Sequence, residues 1–125
     1  MRKIIIYLLI PLVLIGGVVW LIRTPGKAGK LDTFAVCLKD SGTLFYGAFW
    51  CPHCQNQKAL FGSSAKLLPY IECSTPDGGS QLPICSEAGV KTYPTWRFPD
   101  GTVEVGELSL ERLSTATNCP LPAVQ

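Results

Sequence analysis

The sequence predicts an α/β domain, a mixed central sheet flanked by helices, preceded by one transmembrane helix. Three observations carry that reading. An uncharged run near the N-terminus is long enough to cross a bilayer; the segments after it alternate between helical and extended patterns; and two late strands flank a Pro-Asp-Gly turn. A length of 125 residues allows one small domain and hardly more. It excludes a barrel of alternating strands and helices or a long repeat array. The 47% hydrophobic content is too high for a disordered chain.

The run Ile4–Ile22 holds nineteen consecutive uncharged residues. At 1.5 Å per residue it spans about 28 Å, close to the roughly 30 Å hydrocarbon core. Arg2 and Lys3 precede it, and Arg23, Lys27 and Lys30 follow it. Tyr7 and Trp20 stand near its ends, where amphipathic rings favour the interface. Pro11 and Gly16-Gly17 are tolerated in a membrane span. The competing reading is a cleaved signal peptide. Those have shorter apolar cores, about 7–15 residues, and a small-residue cleavage site that Trp20-Leu21-Ile22-Arg23 does not offer. Residues 1–30 are therefore expected to be an anchor and a linker (Thr24–Lys30), and residues 31–125 the folded domain. The net charge of +2 divides on the same boundary. Five basic and no acidic residues precede it; six basic and nine acidic ones follow. The domain is mildly acidic, so no nucleic-acid partner is expected.

Leu31–Lys39 has apolar residues at 31, 34, 35 and 38, which is helical spacing. Thr43–Trp50 is an aromatic-rich run expected as a buried strand, and Pro52 then takes the favoured first position of a helix reaching about Lys66. Pro69–Cys73 reads as a second strand and Leu82–Ala88 as a short helix. Thr95–Phe98 and Thr102–Val105 flank Pro99-Asp100-Gly101 and form a hairpin. Ser109 caps a last helix with apolar residues at 110, 113 and 116. The order α-β-α-β-α-β-β-α contains a β-α-β unit followed by a hairpin, hence a mixed sheet.

The cysteines carry the chemistry. Cys51-Pro52-His53-Cys54 lies where a strand hands over to a helix. Free backbone N–H groups and the helix dipole favour an anion there, so the Cys51 thiolate is the expected nucleophile. Such settings lower a thiol from about 8.5 into the range ~3.5–7.5. Cys54, three residues further into the helix, is the expected resolving thiol. His53 adds a hydrogen-bond donor and possible charge beside Cys51. The alternatives are a structural disulfide or half of a zinc site. A zinc ribbon needs a second close pair, and Cys37, Cys73, Cys85 and Cys119 form none. No metal and no cofactor beyond a redox-active Cys51–Cys54 disulfide is expected. Tyr93-Pro94-Thr95 precedes the third strand, and its proline suggests a strand start or a cis bond.

Phe49-Trp50-Cys51-Pro52-His53-Cys54, Tyr93-Pro94-Thr95 and the element order together resemble the thioredoxin superfamily. More narrowly, FYGAFWCPHCQ (45–55), LPYIECS (68–74) and YPTW (93–96) resemble the thioredoxin-like domain fused to vitamin K epoxide reductase homologues. The resemblance covers about residues 31–118. It implies a thioredoxin-like fold, a cis Pro94 facing Cys51, and an additional pair between Cys73 and Cys85. It also implies electron exchange between substrate proteins, through their thiols or disulfides, and a quinone-linked membrane partner. Two features depart from the pattern. The carboxylate usually found six residues before the nucleophile is replaced by Phe45, and no four-helix reductase domain is attached, so that partner would be a separate chain.

A Cys73–Cys85 bridge closes a glycine-rich loop and would stabilise by about 3 kcal/mol; an electron relay is the other role open to it. Cys37 and Cys119 are left for a third bridge, though six cysteines allow fifteen pairings. Trp50 either shapes the redox surface or joins the core, Tyr93 and Thr95 flank Pro94 where an extended substrate could bind, and Phe45, Phe49, Trp96 and Phe98 are expected in the core. Lys58 and Lys66 read as solvated charges. Disulfide-dense usage belongs to an oxidising compartment, which places the domain on the extracytoplasmic side of the membrane. The sequence thus predicts a membrane-anchored oxidoreductase that oxidises or isomerises protein thiols. Its rivals are a tethered reductase and a copper- or zinc-binding module.

Overall fold

Residues 28–123 and positions 11, 13, 14, 16 and 17 are described by a computed structural model. The expected anchor therefore lies almost wholly outside the described residues, and among those no helix is long and apolar enough to cross a membrane. From residue 32 onward the elements are α1 (Asp32–Asp40), β1 (Leu44–Gly47), α2 (Pro52–Phe61), β2 (Tyr70–Glu72), α3 (Pro83–Glu87), β3 (Thr95–Arg97), β4 (Val103–Val105) and α4 (Leu110–Thr117). Prolines open α2 and α3, where the missing N–H has no helical partner to lose. The Ser109 hydroxyl caps α4 by accepting from the Arg112 N–H.

Two elements are shorter than the sequence predicts, each for a local reason. Helix α2 stops at Phe61 because Gly62 takes φ +53°, and a 3₁₀ turn (Gly62–Leu67) replaces the expected helical continuation to Lys66. Strand β1 ends at Gly47, not Trp50. The chain must leave the sheet there so that Cys51 can cap α2, and a turn bond from the Cys51 N–H to the Ala48 carbonyl (3.0 Å) makes the corner.

The sheet runs β2-β1-β3-β4, with β1 and β2 parallel and the other two pairs antiparallel. Its mixed character and flanking helices fit a thioredoxin-like fold. Strand alternation sends successive side chains to opposite faces and creates two cores. On one face Phe45 stacks on Trp96 at 4.4 Å between ring centroids and meets Tyr70 edge-on at 5.1 Å. Phe34 and Leu38 of α1, Cys54 and Phe61 of α2, and Leu113 of α4 complete that cluster. On the other face Tyr46 packs with Cys73, Cys85 and Val90. Phe45 occupies the position where the resemblance leads one to expect a carboxylate, and its ring packs between Trp96 and Tyr70.

Two disulfides fasten this frame. Cys73–Cys85 closes the loop between β2 and α3, and Cys37–Cys119 ties α1 to the segment after α4 across a separation of 82 residues. Chain-entropy arguments give about 3 kcal/mol for the short loop and about 4.5 kcal/mol for the long one. The long bridge is a large share of the 5–15 kcal/mol typical of a small domain. The double variant Cys37→Ala/Cys119→Ala should accordingly lose about 3–5 kcal/mol in denaturant unfolding, with a steeper slope as the freed unfolded chain exposes more surface.

Candidate redox site

The start of α2 is seated against the ends of β1 and β3. Cys51 is the N-cap residue, extended at φ −76° and ψ 119°, so its side chain stands at the free N–H end of the helix. Its Sγ lies 3.7 Å from the carbonyl oxygen of Tyr93, and the Tyr93–Pro94 peptide is cis. Pro94 is fully buried beneath it. Cys51 and Cys54 are free thiols, and both are buried, at 5% and 1% exposure. Each of the remaining cysteines is in a disulfide. Among the described residues, no group of three or more His, Cys, Asp or Glu side chains is placed to hold a metal ion.

Cys54 packs against bare backbone. A Cβ on Gly47 would stand 2.8 Å from the Cys54 Sγ and 2.8 Å from Cε2 of Tyr70, so only glycine lets α2 lie this close to the sheet. Burial pushes the Cys54 thiol up to about 12, and the neighbouring Cys51 sulfur adds to the rise. The Ala48 backbone N–H and the Lys58 charge pull the other way.

His53 is paired with a carboxylate from the loop before α4. Its Nδ1 meets Oε1 of Glu107 at 2.6 Å, and Asn56 donates to the same oxygen at 3.2 Å. The Glu107 carboxyl is held below the usual carboxylate range, first by the His53 hydrogen bond and then by that of Asn56. This carboxylate was not legible in the sequence, nor was the residue that positions it. Gln57 is completely buried and clamps Leu108 at two points, donating to its carbonyl at 3.0 Å and accepting from its N–H at 2.7 Å. That clamp fastens the loop before α4 to the redox helix.

Trp50 and Phe49 are each half exposed beside Cys51, which places Trp50 on the redox surface and corrects the expectation that Phe49 joins the core. Trp50 is fixed by a bond from its Nε1 to the Ser74 hydroxyl (2.8 Å) and by an edge contact with Tyr93. The Tyr93 hydroxyl accepts from Gln81 at 2.7 Å, so the loop closed by Cys73–Cys85 braces both rings. Thr95 does not share that surface. Its side chain is buried and donates to the Thr92 carbonyl, and its backbone lies inside the sheet between Tyr46 and Val105. Lys58 also departs from expectation. It is half-buried, with Nζ 3.2 Å from the centre of the Tyr70 ring, whereas Lys66 is exposed. Its i+4 spacing from Cys54 was a visible sign that the two share a helix face.

The chain is 40% identical over 89 residues to a thiol-disulfide oxidoreductase of Arabidopsis thaliana (LTO1), an alignment covering 67% of this chain and 23% of that protein. It is 31% identical over 72 residues to a protein disulfide isomerase-like protein (5-1) of Oryza sativa subsp. japonica, covering 53% and 49%. These relatives support a place in the thioredoxin-like superfamily. The chain spans about a quarter of the first relative's length and about half of the second's. No family model matches the sequence. Two free thiols on a thioredoxin-like frame and relatives so named support one class, a thioredoxin-like oxidoreductase.

The geometry orders the two thiols. In the reduced protein at about neutral pH, iodoacetamide should modify Cys51 first and spare Cys54, whose labelling should rise only as the pH approaches about 12. Peptide mass mapping over a pH series checks this, and equal labelling of both cysteines near neutrality contradicts it.

Proposed function

We propose that this chain is a membrane-anchored thiol-disulfide oxidoreductase that oxidises or isomerises protein thiols through Cys51 and Cys54. One observation carries the proposal: of six cysteines, only the pair in Cys-Pro-His-Cys is free, and it stands at a helix N-terminus against a cis proline. The relatives' names, thiol-disulfide oxidoreductase and protein disulfide isomerase-like, agree with it.

In the oxidised enzyme a substrate thiolate attacks Sγ of Cys51. The Cys51–Cys54 bond breaks, a mixed disulfide forms, and Cys54 departs with the electron pair. A second substrate thiolate then attacks the substrate sulfur and displaces Cys51. The substrate gains a disulfide, and the enzyme keeps two electrons and, after protonation, two protons. The exposed Phe49 and Trp50 rings and the Tyr93 backbone offer an apolar, strand-like landing place for an extended segment.

A separate vitamin K epoxide reductase-like protein would re-oxidise the pair and pass the electrons to a quinone. The apolar run at 4–22 supports a single-pass anchor, and the two disulfides support an extracytoplasmic location, periplasmic or lumenal. In this reading Cys73–Cys85 and Cys37–Cys119 are structural.

Cys54→Ser in the full chain removes the resolving sulfur and should accumulate mixed disulfides on Cys51. Separation under non-reducing conditions should show adducts that vanish with reductant and with the further change Cys51→Ser. No adducts from Cys54→Ser, together with stoichiometric metal in the native protein, would favour a metal-binding module instead.

A further inference from the structure

The exchange reaction places negative charge on a sulfur that the fold has buried. Cys54 leaves when a thiolate attacks the Cys51–Cys54 disulfide and attacks when a mixed disulfide is resolved. Both directions pass through one transition state with charge developing on Sγ of Cys54. Phe45 supplies nothing to meet that charge, and His53 is turned toward Glu107.

The structure places another group there. Lys58 lies one turn beyond Cys54 on the same face of α2. Its ammonium rests over the Tyr70 ring, 3.2 Å from the centroid. That ring and the Cys54 Sγ both lie 2.8 Å from where a Gly47 Cβ would stand, so sulfur and ring edge are less than 6 Å apart, twice 2.8 Å at most. Glu72 pairs in register with Gly47 and shares the sheet face of Tyr70. Its carboxylate accepts from the Tyr70 hydroxyl at 2.8 Å, the Phe49 N–H at 3.2 Å and the Ser74 N–H at 2.9 Å.

We infer that Lys58, held over Tyr70 beside Glu72, is the electrostatic partner of Cys54 and stabilises its thiolate during exchange. The inference rests on the proposed Cys51–Cys54 chemistry and adds a positioning residue to it. The ionisable groups around the sulfur are Cys51 and Lys58 from α2 and Tyr70 and Glu72 from β2; β1 presents Phe45 and Gly47 on this face. Burial and the Glu72 bond hold Tyr70 above its ordinary value, so it remains a neutral phenol. Burial draws Lys58 down, while Glu72 and Cys54 draw it back. Lys58 is thus the cation of this group.

Reaction of the reduced full chain, in detergent micelles, with Ellman's reagent separates the steps. Cys51 attacks the reagent and releases one thionitrobenzoate. Cys54 then attacks the mixed disulfide on Cys51 and releases the second, its proton passing to buffer. Lys58→Met should slow the second phase about tenfold near neutrality and displace its pH profile upward by about one unit. The first phase should change less than about twofold, and Lys58→Arg should restore the second. Should the methionine variant fail to fold, Lys58→Gln in the same assay decides. A second phase in the variant that superimposes on wild type over the pH series overturns the inference and leaves the Cys51–Cys54 reading intact. A second phase missing from the wild type overturns both.

Discussion

The site depends on one close approach, the packing of Cys54 against the bare backbone of Gly47. It brings the first turn of α2 down onto the sheet, and the other features follow from that height. Cys51 then reaches the Tyr93 carbonyl at 3.7 Å, and Tyr70 can slide under Lys58. Any side chain at position 47 would meet both sulfur and ring at 2.8 Å and lift the helix. The same contact excludes water from Cys54 and makes its charged form expensive to create. A resolving thiol so protected reacts slowly with stray electrophiles, and a nearby positive charge would ease its ionisation.

Polar residues hold this arrangement from two sides. Gln57, facing inward from α2, fixes the loop at Leu108 and so presents Glu107 to His53. Glu72, at the end of β2, gathers the Phe49 and Ser74 amides and the Tyr70 hydroxyl. Each joins segments far apart in sequence through hydrogen bonds. The two disulfides lie outside the reacting pair. One ties α1 to the C-terminal segment, and the other closes the loop that braces Trp50.

Much of this was legible in the sequence, for identifiable reasons. Pro52 marks a helix start, Pro99-Asp100-Gly101 marks a turn, and helical spacing marks the first and last helices. The free pair was legible from Cys-Pro-His-Cys at a strand–helix junction. What the sequence hid was tertiary. A glutamine in a helix gives no sign that it will be buried against a residue 51 positions away. Lys58 looks like any surface lysine until Tyr70 is known to lie beneath it. Phe49 read as core because it is aromatic, yet it follows the end of β1 and faces outward with Trp50 beside the thiols. Thr95 was misplaced for the opposite reason: adjacency to Pro94 in sequence does not bring a strand residue to the surface.

In the proposed reaction Cys51 and Cys54 form a reversible disulfide poised to oxidise protein thiols. Equilibrating the full chain with glutathione buffers, and following the fraction of oxidised Cys51–Cys54 by thiol alkylation and mass, tests it most directly. The expected result is a single two-electron transition toward the oxidising end of the thioredoxin-like range, which runs from about −270 mV to about −120 mV. A potential near −270 mV would contradict the oxidising role, and a pair that never closes would contradict the redox site itself.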